Sequence, residues 1–535
     1  MKALKCILAI IACTFFFSVS YAVRMRPGSG MRLPEYLMPT EHDNPAVWST
    51  QSVPMTKGAA PGEYAIRDVP RTGSIEYILV LVDFTDLKFT IQDTLELKRQ
   101  YDRYFNEHGY YTPAMYYGDS YYYASTGSVS DYFRDQSYGQ YNPTFKVVGP
   151  VHPSKSYSYY GSGYNESNLQ YLIREVCDSV TAKGIANLND YVRNGNLDNL
   201  CIVYAGRGQN YDGSDVNTIW PSANKLNYNK NGIHEIYYAC VCELFWDSDC
   251  ILDGIGTFCH EFSHTLGLPD FYSNSTSSDP NSDGPMGYWS LMDMGNYENG
   301  GFSPVGMTAF EKYSLGWLDI EELTTPGYYT LHNINHQTDS DAGIHTAYRL
   351  NTDKENEFII LENHAKTGWY KHHGAEGLMI TSVIYDEYSW NNKIVNTSSP
   401  KRYHLIPADN TLDKDSYQGD LFPYQEIDSA TTQGTPKLYT GSSSPLYSVY
   451  YITRQDSLIS FYAGLKKPSG VTDQASQQIS IDFTDSRLTV NSPIGTTVTI
   501  HDLPVKPVIK AETTLSVQQI ELPGPGIWLV RCGNR

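Results

Sequence analysis

The chain alternates between apolar runs of strand length and segments with helical spacing. Residues 75–84 and 199–204 are almost continuously hydrophobic, so each run predicts a buried strand. Apolar residues recur every three or four positions in 94–105, 128–136 and 168–186, which predicts three helices. This order of elements indicates a mixed α/β domain.

A further helix is predicted over 251–268, and the pattern of the chain changes after it. The helical pattern ends in a glycine followed shortly by a proline, which is the usual order at a helix C-terminus. From Trp317 to a Lys-, Pro- and Gly-containing linker at 466–470, short alternating runs and turns predict a β-rich region. Residues 478–535 carry further short β-patterned runs.

Several domains are expected, because 535 residues exceed what one hydrophobic core supports. We predict an α+β protein with a mixed α/β domain at 72–320, a β-rich domain at 321–465 and a small β-sandwich-like module at 474–535. Residues 23–71 are punctuated by Pro and Gly without clear periodicity. We interpret them as a pro-segment or a linker.

Residues 1–22 have the pattern of a signal peptide. Lys2 and Lys5 form a basic start, residues 6–19 are apolar but short for a membrane span, and small residues precede the expected cleavage point. A lipoprotein signal with Cys13 as the modified residue is the alternative, but the apolar run continues beyond that cysteine. We expect a secreted or cell-surface protein, and no other run is long and apolar enough to span a bilayer.

The net charge argues against two classes of partner. It is −20 for the full chain and becomes −22 when the two lysines of the signal peptide are removed, which disfavours nucleic acid and anionic membranes. Bound calcium becomes more plausible. The loop 275–284 carries Asp279 and Asp283, whose hard oxygen ligands suit Ca²⁺, although such a loop is more often only solvated.

The cysteines do not indicate a second metal site. An odd number remains after the signal peptide is removed, and no Cys-x-x-Cys pair is present. Buried thiols or one local disulfide are therefore favoured for Cys177, Cys201, Cys240, Cys242, Cys250, Cys259 and Cys532.

The candidate chemistry lies in the segment His260-Glu261-Phe262-Ser263-His264. Two histidines at i and i+4 project from one face of a helix, so their imidazoles can take two corners of a tetrahedral Zn²⁺ site. Glu261 lies beside the first histidine and can reach a metal-bound water as general base. A bare His-Glu-x-x-His match also occurs by chance in unrelated helices.

Three features downstream of the second histidine extend the motif. Gly267 stands three residues after His264, where the helix must break if the next ligand is to return to the same metal. Asp270 follows as a competent oxygen ligand, and Glu311 on a following helix is the alternative third ligand. Met292 is placed to form a methionine turn, with an ordinary core methionine as the alternative.

Around the motif the chain reads HEFSHTLGLPDFY, followed by SLMDMG and SPVGMTAFEKYSLGW. These runs resemble the M6 family of metallopeptidases, the immune-inhibitor-A-like group of metzincin-type zinc endopeptidases. The resemblance continues upstream in YILVLVDFTD and downstream in EFIILENHAKTGWYKHHGAEGLMI, and it covers roughly residues 75–460. It implies a metzincin-like catalytic domain with these roles: zinc ligands His260, His264 and Asp270, catalyst Glu261, and methionine-turn residue Met292.

The chain departs from the family pattern at two positions. Ser263 stands where the family generally has glycine, which is compatible with a helix. Met294 stands where small polar residues are commoner. Neither change removes a ligand.

These features predict a secreted zinc-dependent endopeptidase that acts on proteins or peptides, with Glu261 assisting the attack of a zinc-bound water. The alternative is a catalytically inactive binding or adhesion protein on a peptidase fold, suggested by the β-rich portion and the 45 tyrosines. The presence of Glu261 argues against that alternative. A serine or cysteine hydrolase has little support, because no Gly-x-Ser-x-Gly elbow occurs and Cys259 would lie on the wrong helical face.

Two further predictions concern the substrate and the C-terminus. An extended peptide should pair with an exposed strand edge. Either the strand before the helix that carries His260 and His264, called the ligand helix below, or the turn around Arg207 could present this edge. Arg207 is then either a solvated turn arginine or a contact to an acidic substrate side chain. The last segment, with VTIHDL and LPGPGIWLVRCGNR, resembles the C-terminal sorting modules of type IX secretion cargo, with a plain β-sandwich appendage as the alternative.

Overall fold

The computed structural model describes residues 69–535 except for 118–119, 162–165, 212–214, 216, 247–250, 274–284, 337–344, 412–416, 442, 468–479, 485–486, 492–496, 503–505, 513–516, 522–528 and 533–535. For residues 480–535 only the backbone is described. The predicted signal peptide, nearly all of the segment 23–71 and the acidic loop 275–284 lie outside the described residues. The chain divides into two compact units, of which the first ends at Leu465 and the second begins at Lys466.

The first unit contains a seven-stranded sheet. The strands before the ligand helix are β1 (Gly73–Val82), β2 (Met115–Tyr117), β3 (Ser120–Tyr122), β4 (Tyr141–Val151), β5 (Val192–Arg193), β6 (Asn196–Arg207), β7 (Ser222–Lys230), β8 (Ile233–Trp246) and β9 (Ile251–Leu252). The sheet has the order β4-β1-β6-β8-β7, β5 pairs with β6, β9 pairs with β8, and β2 and β3 form a separate hairpin. Strands β4, β1, β6 and β8 are parallel neighbours, whereas β7 is antiparallel to β8 and lies at the edge. The two predicted buried strands are confirmed as β1 and β6.

A turn signal in the sequence explains the hairpin between β7 and β8. Asn231 and Gly232 form a two-residue loop between β7 and β8, since Lys230 pairs with Ile233. Both loop residues have positive φ, 55° for Asn231 and 82° for Gly232. Asn-Gly is the preferred pair for such a tight hairpin, because both positions require the left-handed backbone region.

Seven α-helices occur in the described part of the chain: α1 (Thr94–Asn106), α2 (Val129–Gln136), α3 (Tyr157–Gly161), α4 (Glu166–Ala182), α5 (Ile255–Leu266), α6 (Ala309–Ser314) and α7 (Glu387–Asn391). Helices α1 and α2 lie where the sequence predicts them, and Ser128 caps α2 by accepting a hydrogen bond from the Asp131 backbone N–H. The predicted end of α4 at residue 186 is wrong. Gly184 adopts a left-handed backbone with φ 60°, which terminates the helix.

The ligand helix α5 is also shorter than predicted. Its first predicted residues, 251 and 252, form strand β9 against β8. Helix α5 begins at Ile255, and the backbone of residues 296–301 packs so closely on Gly254 and Gly256 that a Cβ at either position would clash. The helix ends at Leu266, because Gly267 turns the chain with φ 117°.

Both faces of the seven-stranded sheet are covered, which explains the continuous apolar runs. Along β1, Leu79 and Leu81 belong to one hydrophobic cluster, and Ile78 and Val80 belong to another. Helix α5 contributes to the first cluster and α4 to the second. The ligand helix is thus packed directly on one face of the sheet.

The region after Trp317 is rich in strands, as predicted: β10 (Glu321–Glu322), β11 (Gly327–Leu331), β12 (Ala347–Asn351), β13 (Glu357–His364), β14 (Gly377–Ile384), β15 (Tyr403–Leu405), β16 (Ser448–Gln455) and β17 (Leu458–Gly464). They form a five-stranded sheet, β10-β12-β13-β14-β15, and a three-stranded sheet, β11-β17-β16. One hydrophobic cluster contains Phe262 of α5, Phe310 of α6 and Ile360 of β13. The β-rich region therefore packs against the ligand helix, and the domain boundary at 320/321 stays a prediction.

The second unit contains β18 (Ser480–Thr484), β19 (Arg487–Asn491), β20 (Thr497–Asp502), β21 (Lys506–Glu512), β22 (Val517–Glu521) and β23 (Leu529–Cys532). They form two three-stranded antiparallel sheets, β18-β19-β22 and β21-β20-β23. The predicted sandwich arrangement and sorting role stay predictions. In neither unit does a described helix combine the length and the apolar character needed to cross a membrane.

Candidate metal centre

Helix α5 is buried along all 12 of its residues. Phe258 and Phe262 pack on the sheet side, where the Phe262 ring meets the edge of Tyr77 with a centroid distance of 5.2 Å. Residues four apart share one face of a helix, and residues two apart lie on nearly opposite faces. Burial of the two phenylalanines against the sheet therefore directs His260 and His264 to the other side.

Three potential ligand atoms converge on that side. The Nε2 atom of His260 lies 3.2 Å from Asp270 Oδ1, and the Nε2 atom of His264 lies 3.0 Å from the same oxygen. Ligands held at about 2.0–2.1 Å by a tetrahedral Zn²⁺ ion are about 3.3 Å apart, so the spacing fits such an ion. Among the described residues, this is the one group of three His, Cys, Asp or Glu side chains whose ligand atoms lie within 4.8 Å of one another.

Backbone carbonyls fix the orientation of both histidine rings. His260 Nδ1 lies 2.9 Å from the carbonyl oxygen of Leu291, and His264 Nδ1 lies 2.8 Å from that of Leu268. A carbonyl oxygen can only accept, so each Nδ1 must carry the proton. Each Nε2 then presents its lone pair to the centre, which is the arrangement that metal-ligating histidines require.

The electrostatics of the three side chains favour a cation between them. Burial alone would raise the pKa of Asp270, but the two histidines hold it well below its usual range. Burial lowers the pKa of His264 to about 4. Burial would also lower that of His260, yet the hydrogen bond to Asp270 and the charge of Glu261 raise it to about 9. A bound dication would displace any proton from His260 Nε2, because a histidine binds a metal in its neutral form.

Glu261 lies on α5 between the two histidines and is 8% exposed. Burial is the main cause of the raised pKa values of Cys240 and Tyr297, and the charge of Glu261 adds to both. Its carboxylate is thus close to the metal centre and to these two side chains. The role of Glu261 as general base stays a prediction.

The turn after α5 brings Asp270 back to the histidines. The backbone N–H groups of Gly267 and Leu268 both donate to the carbonyl oxygen of Ser263, at 3.1 Å each. Asp270 is then 4% exposed, and the backbone N–H of Phe271 donates to the carbonyl oxygen of Met292. The predicted role of Gly267 in returning the chain is therefore consistent with its geometry.

Met292 lies in a tight turn directly beside the ligand helix. The turn is closed by the Gly295 N–H, which donates to the Ser290 carbonyl oxygen at 2.8 Å. Leu291, the residue before Met292, supplies the carbonyl that holds His260. Met292 itself is fully buried and belongs to the same hydrophobic cluster as α5. The predicted methionine turn thus lies next to the ligands.

Glu311 is not part of the ligand group. Its Oε1 accepts hydrogen bonds from Ser290 Oγ at 2.6 Å and from the Met292 N–H at 3.1 Å. Its Oε2 accepts from the Thr308 N–H at 2.6 Å. The carboxylate is therefore used to hold the methionine turn against the start of α6, rather than as the alternative third ligand.

The structure also changes the expectation for Arg207. Its Nη2 lies 3.0 Å from Asp215 Oδ2, and its side chain is 18% exposed, so its charge is compensated within the chain. Strand β6, which ends at Arg207, lies between β1 and β8 and is not an edge strand. The prediction of a substrate edge at this turn is wrong, because β7 occupies the outer position.

The cysteines with described side chains are not nucleophiles. Cys177, Cys201, Cys240, Cys242 and Cys259 are buried and unpaired by disulfides. Burial raises the pKa of the Cys259 thiol well above its ordinary value. A buried neutral thiol does not attack a carbonyl, which removes the cysteine-hydrolase alternative at this position.

Sequence reasoning missed three parts of the site. The Leu268 and Leu291 carbonyls have no signal in the sequence, because any residue carries a carbonyl. The role of Glu311 was obscured by its residue type, which also suits a metal. The edge strand β7 had a usable signal in Asn231-Gly232, a pair typical of tight hairpins.

Comparisons with known proteins agree with this geometry. Residues 68–321 match the family model described as immune inhibitor A peptidase M6, catalytic domain. The chain is also similar to the pre-pro-metalloprotease PrtV of Vibrio cholerae serotype O1, in strains M66-2 and ATCC 39315 / El Tor Inaba N16961. Each is 26% identical over 314 residues, which cover 50% of this chain and 33% of the relative. The match thus spans about a third of the length of these curated relatives.

Proposed function

The chain belongs through residues 68–321 to the M6, immune-inhibitor-A-like family of peptidases, and from this premise we propose that it is a zinc-dependent endopeptidase. His260, His264 and Asp270 bind the metal, Glu261 is the general base, and Met292 forms the methionine turn. The substrates are proteins or peptides. The fold around this centre is then of the metzincin type.

One observation carries the proposal. Each of the two Nε2 atoms lies at about the separation from Asp270 Oδ1 that two ligands of a tetrahedral ion have. Both rings are held in the tautomer that leaves Nε2 free to bind. A structural cluster of histidines has no reason to meet both conditions at once.

Zn²⁺ in this site would supply Lewis acidity, which makes water a nucleophile near neutral pH and polarises a peptide carbonyl. Glu261 takes the proton from the attacking water and transfers it to the leaving amine. Asp270 and the two histidines would hold the metal with one ligand atom each. The burial of Glu261 keeps its carboxylate out of bulk solvent during the proton transfer.

The substrate pairs with strand β7. An extended peptide adds to an exposed sheet edge through main-chain hydrogen bonds, and its side chains alternate between pockets and solvent. Strand β7 is the outer strand on the side of the sheet where β8 leads towards α5. In the part of the chain that the structure describes, β8 is the one strand paired with β7, so we assign the peptide to the other edge of β7.

Export is part of the proposal. Residues 1–22 act as a signal peptide and residues 23–71 as a pro-segment. The similar Vibrio cholerae protein is described as a pre-pro-metalloprotease, which supports a precursor with both segments.

Metal analysis and cleavage of casein or gelatin test the proposal. The purified chain should contain one zinc per molecule, cleave these proteins, lose the activity with a chelator and regain it when zinc is returned. Cleavage that persists after complete removal of zinc would contradict the proposal. One zinc per chain without cleavage of any substrate would instead favour the inactive binding protein.

A further inference from the structure

The turn that carries the third ligand holds two groups of the metal centre. This ligand turn comprises residues 267–271. Its Leu268 carbonyl accepts the hydrogen bond that orients His264, and its Asp270 carboxylate meets both histidines. An aspartate side chain is short, so the position of its carboxylate depends closely on the backbone of the turn. Contacts that fix this backbone therefore fix two parts of the centre at once.

Two side chains of the β-rich region hold the backbone of the ligand turn, one on each side of Asp270. Trp390 Nε1 donates to the carbonyl oxygen of Gly267 at 3.2 Å. Asn396 Nδ2 donates to the carbonyl oxygen of Phe271 at 2.7 Å. The turn is thus attached, before and after the ligand residue, to side chains that lie 123 and 125 positions later in the chain.

Asn396 uses both ends of its amide group in this attachment, and its side chain is fully buried. Its Nδ2 also donates to the carbonyl oxygen of Tyr403 at 2.6 Å. Its Oδ1 accepts from the N–H groups of Arg402 at 2.8 Å and Tyr403 at 3.0 Å. The opposite orientation of the amide would place donors against donors, so these bonds fix one orientation. The amide group therefore joins the ligand turn to the start of β15.

Aromatic packing supports the same attachment. The Phe271 ring is fully buried and meets the rings of Tyr403 and Trp390 at centroid distances of 4.7 Å and 5.9 Å. Phe310 of α6 contacts all three of these rings, at centroid distances of 4.8–6.2 Å. The residue next to Asp270 is therefore held by its side chain as well as by its backbone.

We propose that Asn396 and Trp390 are positioning residues of the metal centre, and that the β-rich region thereby completes a site whose candidate ligands all lie within residues 68–321. The inference rests on the proposed zinc-peptidase function. Outer-shell partners hold metal ligands in position and raise the affinity for the metal. Here they act on the ligands through the backbone of the ligand turn. The catalytic unit then extends beyond the segment that matches the peptidase family.

The zinc affinity of the full chain, measured by competition with a chromophoric chelator, tests the inference. Asn396→Ala should raise the dissociation constant for zinc by about 10- to 100-fold, the range for loss of an outer-shell partner. Trp390→Phe keeps an aromatic ring and removes the donor to Gly267. Its dissociation constant should rise by about tenfold, the lower end of that range. Trp390→Phe also provides the measurement if Asn396→Ala does not fold.

The visible absorption of bound Co²⁺ gives a second readout, which a loss of stability alone would not change. Co²⁺ can take the place of Zn²⁺ in a site of this kind, and its bands depend on the arrangement of the ligands. The bands of Asn396→Ala and Trp390→Phe should differ from those of the wild type. The reason is that Asp270 and the Leu268 carbonyl move when the ligand turn is released.

Two matched controls separate positioning from stability. Asn363 of β13 is also buried, and its Nδ2 donates to the carbonyl oxygens of Leu331 at 2.9 Å and Ser457 at 2.8 Å. Trp317 Nε1 donates to the carbonyl oxygen of Arg71 at 2.6 Å. Asn363→Ala and Trp317→Phe should lower the melting temperature, yet leave the zinc affinity and the Co²⁺ bands unchanged.

Three outcomes would contradict the inference. Unchanged zinc affinity in both Asn396→Ala and Trp390→Phe would overturn it and leave the peptidase function intact. An equal loss of zinc affinity in the two control variants would also overturn it, because the effect would then be one of general stability. A wild-type chain that does not bind zinc would overturn the proposed metal centre and the inference with it.

Discussion

Two buried histidine-carboxylate clusters contact the segment 286–294. In the metal centre, His260 and His264 meet Asp270, and Leu291 of the segment holds one ring. In the second cluster, which we call the aromatic histidine cluster, His364 and His373 pack on Trp289 of the same segment, and His364 lies 3.4 Å from Glu362. The residue types and the burial are alike.

The difference lies in the surroundings of the ring nitrogens. In the metal centre each Nδ1 has a carbonyl acceptor, and both Nε2 atoms approach one carboxylate oxygen. In the aromatic histidine cluster neither nitrogen of His364 has a hydrogen-bond partner, and its ring is edge-on to Tyr370 at 4.4 Å. Burial of histidines and carboxylates is therefore common to both clusters, whereas the convergence of oriented ring nitrogens on one carboxylate is found in the proposed metal centre.

Replacing one histidine of each cluster is the strongest way to break this comparison. His264→Leu removes a ligand, so zinc affinity should fall by more than about 100-fold, the upper figure for loss of an outer-shell partner, and hydrolysis should be lost with it. His364→Leu should retain both, because His364 lies outside the group of candidate ligands. Metal content after dialysis and cleavage of casein measure the two effects. Equal zinc loss in both variants would show that the distinction is wrong.

The carboxylates allow a second comparison. Asp270→Ala should lower zinc occupancy sharply, whereas Glu311→Ala should leave it unchanged. Glu311→Ala should instead lower the free energy of unfolding by about 3 kcal/mol, because buried donors on Ser290, Met292 and Thr308 lose their acceptor. If Glu311→Ala is too unstable to purify, Glu311→Gln provides the zinc measurement. If the folded Glu311 variant loses zinc and Asp270→Ala retains it, Glu311 is the third ligand and Asp270 is not.

The aromatic histidine cluster should make the protein sensitive to acid. Burial, with a contribution from His364, lowers the pKa of His373 from 6.5 to about 3. The unfolded chain then binds more protons than the folded chain between about pH 6.5 and pH 3, so stability falls as the pH falls through this window. From pH 8 to pH 5 this effect amounts to about 2 kcal/mol.

Melting temperatures at pH 8 and pH 5 check this effect. His373→Phe keeps an aromatic ring against Trp289 and removes the titrating group, so its melting temperature should fall less on acidification than that of the wild type. His336→Gln changes an exposed histidine and should behave as the wild type does. Identical acid sensitivity in His373→Phe and the wild type would mean that the neutral buried ring does not cause it.

The sequence predicted the metal centre better than its surroundings. The spacing of His260, His264 and Asp270 is local, and a helix followed by a glycine turn is enough to bring them together. The carbonyl acceptors and the attachment of Trp390 to Gly267 depend on contacts between segments far apart in the chain, which no local pattern contains. The edge position of β7 likewise depends on the order of strands in the sheet, and this order contradicted the expectation for Arg207.

The buried strands were predicted correctly because a strand covered on both faces is continuously apolar. The first helices were predicted correctly because a helix buried on one face has apolar residues every three or four positions. Helix ends were predicted less well. Gly184 ends α4 early, and the close backbone contact at Gly254 delays the start of α5. The left-handed backbone at Gly184 and the close backbone contact at Gly254 set the helix ends, although the apolar periodicity continues past them.

The central claim is that the three ligands hold zinc and that Glu261 performs the proton transfer. Glu261→Gln tests both parts in one protein, because the substitution preserves the shape of the side chain and removes the base. We expect one zinc per chain, an unchanged melting temperature and hydrolysis below about one per cent of the wild-type rate, the loss expected when a general base is removed. A zinc-loaded Glu261→Gln protein that cleaves casein at a rate close to that of the wild type would contradict the account.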